Sequence, residues 1–494
     1  MGRRARLTSL VLCVGLVGCT PGATRTVAPS VGGPGGSAPT TSGGPAGSVP
    51  TTSGGPSSPG TGGEASIDLW FIEDVQTRVE AMQSILDGFE AETGIQVSMS
   101  PIGEDQLQQQ ITAAAAGDAL PDVFGALSLG FVHSLATDGI SDPAAAQAVV
   151  DALGSDTFSP RALELVTIDG GLIAVPSDTW AQLLVYRTDL FDSAALEPPT
   201  TFDTIMAAAT ELDGDGMAGI VAATGPADTF TQQTFEYFAL ANDCEVVDDA
   251  GTVTLESPQC VETFRFYTDL ITDGSVPGIQ DADTTRATYF AGDAAMIVWS
   301  TFLLDELAGL RNDAPPSCPE CEENPRFLAE NSGIVTAIQG PSGADASQFG
   351  EMVSYTITTG ADTEAAQRFV EYMMSDGYVD QLALAPEGKF PARLGDGENP
   401  NAYVEAWQGL ETGVDERAPL SEIFPAEALD ALGRSTDTMD RWGFPQGQGG
   451  IVGPLLVELP VPAALGTALD GSATPEEAAA EAQIAVQEIV DSVQ

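Results

Sequence analysis

The sequence predicts an α/β protein built on a parallel sheet, and three observations carry that prediction. Strand-like apolar runs alternate with helical stretches from residue 67 to residue 125. Hydrophobic residues make up 43% of 494 positions, enough for two or more domains with substantial cores. A proline-punctuated stretch, 169–212, then joins two strand-like pieces through a polar-aromatic patch.

The opening elements follow in order. Ile67-Asp68-Leu69-Trp70-Phe71 reads as a strand. A helix begins near Thr77, with Val79, Met82, Ile85, Leu86 and Phe89 at helical spacing, and Gly94 ends it. Ile95 to Met99 is a second strand, Gln106 to Ala116 a second helix stopped by Gly117, and Pro121 to Gly125 leads into a third strand. Strands separated by helices pair in parallel. Ligands of such sheets sit at the C-terminal strand ends, which points to Glu73 and Asp74 after the first strand and to Ser128 after the third.

In the joining stretch, Leu172 to Val175 and Leu183 to Tyr186 read as two strands around an exposed knot, Ser177-Asp178-Thr179-Trp180. Pro176, Pro198 and Pro199 keep these pieces from forming one helix. Thr200 or Thr201 caps a helix that starts near Phe202. Helices follow at Phe230–Asn242 and Val261–Thr272, then a helix-turn-strand landmark at Ala287–Ser300 that ends near Trp299. Asn331–Gly340 and Phe349–Ile357 read as strands and Thr363–Ser375 as a helix. A capping box, Thr474-Pro475-Glu476-Glu477, opens a last helix with Ala478, Ala482, Ala485 and Ile489 along one stripe.

Several of these segments resemble the carbohydrate-binding group (family 1) of extracellular solute-binding proteins of ABC importers. The resembling pieces are the strand-knot-strand with Tyr186 and Asp189-Leu190-Phe191, Pro198-Pro199-Thr200-Thr201-Phe202, Ala287–Ser300, Gly388–Arg393 and the final helix. Phe202 stands where that family usually has Trp, Arg187 where it often has Asn, and the Gly-Pro before the cleft aromatic is absent near Trp299. The resemblance runs from about residue 66 to the end. It implies a two-lobed, periplasmic-binding-protein-like (type II) fold with hinge crossovers and a central cleft. It places 66–178 and 343–398 in lobe 1, and 182–338 and 400–494 in lobe 2. Its implied ligand contacts are Glu73, Asp74, Ser128, Asp178, Thr179, Trp180, Trp299, Glu351, Phe390 and Trp442. Its implied partners are a small solute, a sugar or oligosaccharide, and ABC permease subunits, with the binding protein a monomer and no cofactor required.

The N-terminus fits export. Arg3, Arg4 and Arg6 precede an apolar run, Leu7–Val17, too short to span a bilayer, and Leu16-Val17-Gly18-Cys19 resembles a lipobox. Residues 1–18 then form a lipoprotein signal peptide, and Cys19 takes the lipid that anchors the chain to the outer face of the bacterial cell membrane. Residues 19–64, rich in Gly, Pro, Ser and Thr with PTTSGGP twice, read as a tether. No later run is apolar enough to span a membrane. Four cysteines remain, and of their three pairings Cys244-Cys260 with Cys318-Cys321 is the most local. The first closes a loop worth about 3 kcal/mol in the chain-entropy model. Cys318-Pro319-Glu320-Cys321 has no second CxxC or histidine pair beside it, so it reads as a structural disulfide rather than a zinc or redox site.

Seventeen basic against 72 acidic residues give a net charge of −55, with Lys389 the single lysine. Such a surface repels nucleic acid and anionic ligands and favours neutral or cationic ones. His133 is the only histidine, so HExxH is impossible and any Ser-His-Asp site would have to use it. Asp213 and Asp215 resemble part of a calcium loop, but the twelfth position is Ala222, so a surface turn is the simpler reading. Other function classes stay open at this level: an exported glycoside hydrolase with paired carboxylates, a non-transport sensor, or a polyamine or peptide binder of the same fold.

Overall fold

The computed structural model describes residues 65–493 apart from 118 and 215. The signal peptide 1–18, Cys19, the tether 19–64 and Asp215 of the calcium-like turn lie outside the described residues.

β1 (Ser66–Ile72) alternates as a half-buried strand must: Ile67, Leu69 and Phe71 are buried, while Ser66 and Asp68 are exposed. α1 (Gln76–Thr93) buries Met82, Ile85, Leu86 and Phe89 and ends at Gly94, whose φ of 73° suits glycine. β2 (Gln96–Ile102) follows, then α2 (Glu104–Gly117), β3 (Val123–Ser128) and α3 (Leu129–Thr137). β2 and β3 flank β1 in parallel, as the alternation predicts. The chain continues through β4 (Val175–Arg187), α4 (Thr229–Ala241), α5 (Pro258–Gly274), β5 (Met296–Ser300) and α6 (Leu303–Leu307). It then forms β6 (Ser332–Val335), β7 (Gln348–Ile357), α7 (Thr363–Met373), β8 (Phe390–Pro391), β9 (Met439–Asp440) and α8 (Pro475–Val493).

The nine strands join one curled sheet with the path β8-β4-β7-β3-β1-β2; β5 and β6 pair with β4, and β9 with β7. β4 divides its partners along its length. Its first half, Val175–Ala181, pairs antiparallel with Gly350–Tyr355 of β7. Its second half pairs antiparallel with β5 through Gln182–Tyr186 and with β6 through Leu184–Arg187. This one strand therefore belongs to both lobes.

That differs from the expected strand-knot-strand. Pro176 does not break the run, because it lies at a register shift between Pro176 and Asp178, where a ladder hydrogen bond is dispensable. The expected knot is not exposed either: Ser177, Asp178 and Thr179 are all buried between the neighbouring strands. The expected lobe-2 span 400–494 also divides. The helix Ala402–Gln408 packs on β8 and on Tyr378–Leu382, whereas Pro460–Leu469 and α8 pack on each other and on α5.

Two apolar clusters fill the interior. Leu69, Phe89, Phe124 and Phe369 belong to the first, and Phe235, Phe264, Tyr267 and Val486 to the second. Cys244 bonds Cys260, tying the end of α4 to α5, and Cys318 bonds Cys321. Among the described residues no single helix is long and apolar enough to cross a membrane; Gly449–Glu458 with Pro460–Leu469 passes only as a pair bent by 50°.

Trp407 is fully buried, stacks edge-on against Phe390 at 4.9 Å and donates its indole N–H to Pro386 O at 2.8 Å. Trp407→Ala should lower stability by about 3–5 kcal/mol, read as a drop in the urea midpoint with unchanged slope.

Candidate ligand-binding site

The crossover strand sets which side chains can meet a ligand. Along β4, Trp180 and Gln182 share one face and Thr179, Ala181 and Leu183 the other. Trp180 is half-buried, with Phe302 at 6.3 Å and Phe349 at 5.9 Å between ring centroids. Phe302 follows the end of β5 by two residues, where the chain turns through Thr301 into α6. Its open face carries the Arg78 guanidinium at 5.9 Å, and a Cβ on Gly388 would collide with its ring. Arg78 in turn bonds Glu73 at 3.3 Å and approaches Glu387 at 3.6 Å. Glu73 lies at the carboxyl end of β1 and accepts from the backbone N–H groups of Asp74 and Val75. Asp74 is exposed and Ser128, at the end of β3, half-buried. Glu73, Asp74, Ser128 and Trp180 thus remain accessible at strand ends and crossover.

Other expected contacts are committed to the protein. Asp178 is 2% exposed, and its carboxylate takes the Ser177 hydroxyl at 2.5 Å, Gln381 at 3.1 Å and Lys389 at 3.0 Å. Lys389 therefore neutralises a buried acid. Thr179 pairs its hydroxyl with Thr436 at 3.2 Å, and Phe390 is 0% exposed against Trp407. Trp299 pairs with Leu183 across the β4–β5 ladder, which turns it to the face opposite Gln182. Its indole N–H donates to Ala282 O at 2.9 Å, and its ring packs on Phe230. The aromatic that meets Trp180 is Phe302, not Trp299. Trp442 is 2% exposed, donates its indole N–H to Cys244 O at 2.6 Å and packs on Phe235, so it is a core residue.

Glu351 belongs to a buried ion triad. It is hydrogen-bonded to Arg441 and also accepts the Leu129 backbone N–H at 3.1 Å, at the N-terminus of α3. Arg441 donates to Glu236 of α4 at 3.2 Å and lies over the Phe349 ring at 4.7 Å. Burial opposes every charge here. It raises the Glu236 pKa despite Arg441 beside it. Burial also works against the Arg441 charge, but the two carboxylates more than offset this and hold its pKa up.

Both amide atoms of Gln182 lack a hydrogen-bond partner among the described residues, as does Oε1 of Gln232. Gln232 sits one turn before Glu236 on α4, on the same helix face. Buried polar atoms are normally paired, so these amides are exceptions, and with Gln182 0% and Gln232 1% exposed they are closed off from the accessible groups at the crossover. Among the described residues no group of three His, Cys, Asp or Glu side chains could hold a metal ion. His133 is buried and bonded to Leu165 O at 2.9 Å. Two surface hollows lie elsewhere, one of about 500 Å³ beside Glu245, Asp248 and Gln446, the other of about 440 Å³ beside Ile168 and Ile173. They hold none of the crossover aromatics.

A curled sheet shared by two lobes through one long strand, with aromatic and polar groups gathered at the crossover, defines a class of two-lobed ligand-capturing proteins. The model of the bacterial extracellular solute-binding protein family matches residues 74–380, and the chain belongs to that family. It is 26% identical over 335 residues to Escherichia coli (strain K12) YcjN, provisionally named an ABC transporter periplasmic-binding protein, covering 66% of this chain and 73% of that one. In solved structures the fold is shared with maltose-bound T. maritima MalE3, with a TM-score of 0.63 at 19% identity, covering 86% of this chain and 100% of that one. It is shared too with the cyclic alpha-maltosyl-1,6-maltose binding protein from Arthrobacter globiformis, with a TM-score of 0.65 at 18% identity, covering 87% and 99%.

Arg441→Met would strand Glu236 and Glu351 as buried acids with no counter-charge. The expected loss is about 3–5 kcal/mol at neutral pH, measured by urea denaturation. Parallel denaturation of Trp180→Ala, a half-buried ring, should show a smaller loss.

Proposed function

We propose that the protein captures a neutral sugar or oligosaccharide outside the cytoplasm and delivers it to an ABC permease by closing its two lobes, without catalysis. The observation that carries this reading is the Trp180–Phe302 pair, which brings rings from the crossover strand and from the segment after β5 to 6.3 Å. The apolar face of a sugar ring packs on such rings, while amides and charged groups bind its hydroxyls. Arg78, Glu73, Asp74 and Ser128 would supply those polar contacts.

Electrostatics favours a neutral ligand over a polyamine. Three of the buried acids around β4 already have counter-charges: Glu351 and Glu236 share Arg441, and Asp178 has Lys389. Two neighbours of the same fold are a maltose-bound protein and a cyclic alpha-maltosyl-1,6-maltose binding protein, which supports the same class. Anchoring through Cys19 belongs to this proposal and rests on the lipobox resemblance. Ligand bound between lobes stabilises the closed form by its differential affinity, and a permease can read that shift.

The test is a thermal-shift screen over sugars, polyamines and peptides, followed by calorimetry with the strongest hit. The proposal predicts a one-to-one sugar complex recovered chemically unchanged. Trp180→Ala and Phe302→Ala should each weaken it at least about tenfold, or about 1.4 kcal/mol, with folding intact. Turnover of the sugar would instead point to a hydrolase, and affinity untouched in both variants would move the cleft elsewhere.

A further inference from the structure

The segment after Phe302 carries buried acids that the sheet and the helix caps do not explain. Asp305 is 0% exposed, and neither of its carboxyl oxygens has a hydrogen-bond partner among the described residues. Next to it, Glu306 is 2% exposed; its Oε1 accepts from Arg286 at 2.9 Å and approaches Arg311 at 3.6 Å, while Oε2 has no partner. The turn Pro386–Gly388 packs against α6 and brings a third acid, Glu387, which is 3% exposed. Glu387 accepts the Thr412 hydroxyl at 2.7 Å and faces Arg78 at 3.6 Å. On the other side of α6 lies Phe327–Glu330, where Glu330 is engaged with Asn324. Arg311, the nearest cation to Asp305 on its own loop, is bonded to Asp313.

A buried carboxylate without partners is costly to keep ionised. No accessible surface remains at either Asp305 oxygen, so the occupant that fits there is a proton. We infer that Asp305 is a proton-binding site, held as a neutral acid opposite Glu387, and that its ionisation loosens the contact between the Phe302–Leu307 segment and the Arg78–Glu387 side of the cleft. The coupling to the cleft rests on the reading of Trp180 and Phe302 as its walls; the proton site does not.

The geometry explains why ionisation would be felt at Phe302. That residue is the N-cap of α6, and its ring lies against Gly388, the neighbour of Glu387. A charge on Asp305 faces the charge on Glu387 across this contact. Burial first, and then Glu387, push the Asp305 pKa up to about 8; Arg311 and the Glu306 backbone N–H pull against this, and the Glu306 carboxylate adds to it. The folded value stands above the ordinary 3.8, so the folded form binds this proton more tightly. The stability it contributes is complete below about pH 4 and is lost as pH rises toward about 8.

The experiment follows tryptophan emission and thermal unfolding of the full chain from about pH 5 to about pH 9.5, in the wild type, Asp305→Asn and Trp180→Phe. The wild type should show an emission change with a midpoint near pH 8 that Asp305→Asn lacks. The ratio of their unfolding constants should change by up to about tenfold per pH unit between about pH 5 and 8. Trp180→Phe should lose the emission change and keep the pH-dependent stability. Parallel stability curves for wild type and Asp305→Asn would overturn the proton site, and an emission change that survives in Trp180→Phe would overturn its coupling to the cleft. Should Asp305→Asn fail to fold, Glu387→Gln serves: it should move the midpoint to lower pH, and an unmoved midpoint contradicts the proposal. A cleft located elsewhere would leave the stability signature intact, so the two readings fail separately.

Discussion

One strand belongs to both lobes, and the rest of the structure follows from that constraint. β4 spends its first half against β7 and its second half against β5 and β6. Its change of partners near Ala181 and Gln182 is where the lobes meet. A side chain at that point faces groups from either lobe without further design, and Trp180 occupies it. The Trp180 ring then packs on Phe349 from β7 and on Phe302 from the chain leaving β5. A register shift at Pro176 lets the strand run through a residue that would interrupt a regular ladder.

Charge is the second organising force. In a chain of net charge −55, the few cations are used where acids are buried. Arg441 lies between Glu236 and Glu351, linking α4 to the β7 strand and, through the Leu129 N–H, to the start of α3. Lys389 holds Asp178 beneath the crossover. Arg393, four residues on, donates to Thr157, Leu153 O and Tyr403. The Gly388–Arg393 turn is thus a structural clamp on the first half of β4. Breaking a buried pair of this kind costs more than the pair contributes, because the orphaned charge stays buried. The accessible groups left at the crossover and strand ends are Trp180, Ser128, Asp74, and Glu73 with its partner Arg78.

Much of the fold was legible in the sequence because its signals are periodic. The alternation of Ile67, Leu69 and Phe71 and the spacing of Met82, Ile85, Leu86 and Phe89 gave β1 and α1, and the parallel pairing of β1 with β2 and β3 followed. Of the proposed site, the sequence points to the strand ends and to Trp180. Asp178, Thr179 and Phe390 lie beside Trp180 in sequence or in the ladder, but the pleat and the neighbouring strand bury them, which local sequence does not encode. Trp442 was misjudged for the same reason: α4 and Cys244, nearly 200 residues earlier, enclose it. Phe302 is not legible as a wall residue, because Trp299 three residues earlier is the larger aromatic at the same strand end. The available signal is the end of the apolar β5 run at Ser300, beyond which Phe302 is the first aromatic.

Trp180 and Phe302 are proposed as the two walls of a sugar-binding cleft at the crossover. A crystal structure with the sugar that most raises thermal stability tests it most directly. The expected result is a sugar ring packed on Trp180 or Phe302, with Arg78, Glu73 or Ser128 bonded to its hydroxyls. A sugar bound elsewhere, such as the acidic hollow beside Glu245, with the Trp180–Phe302 contact unoccupied, would contradict it.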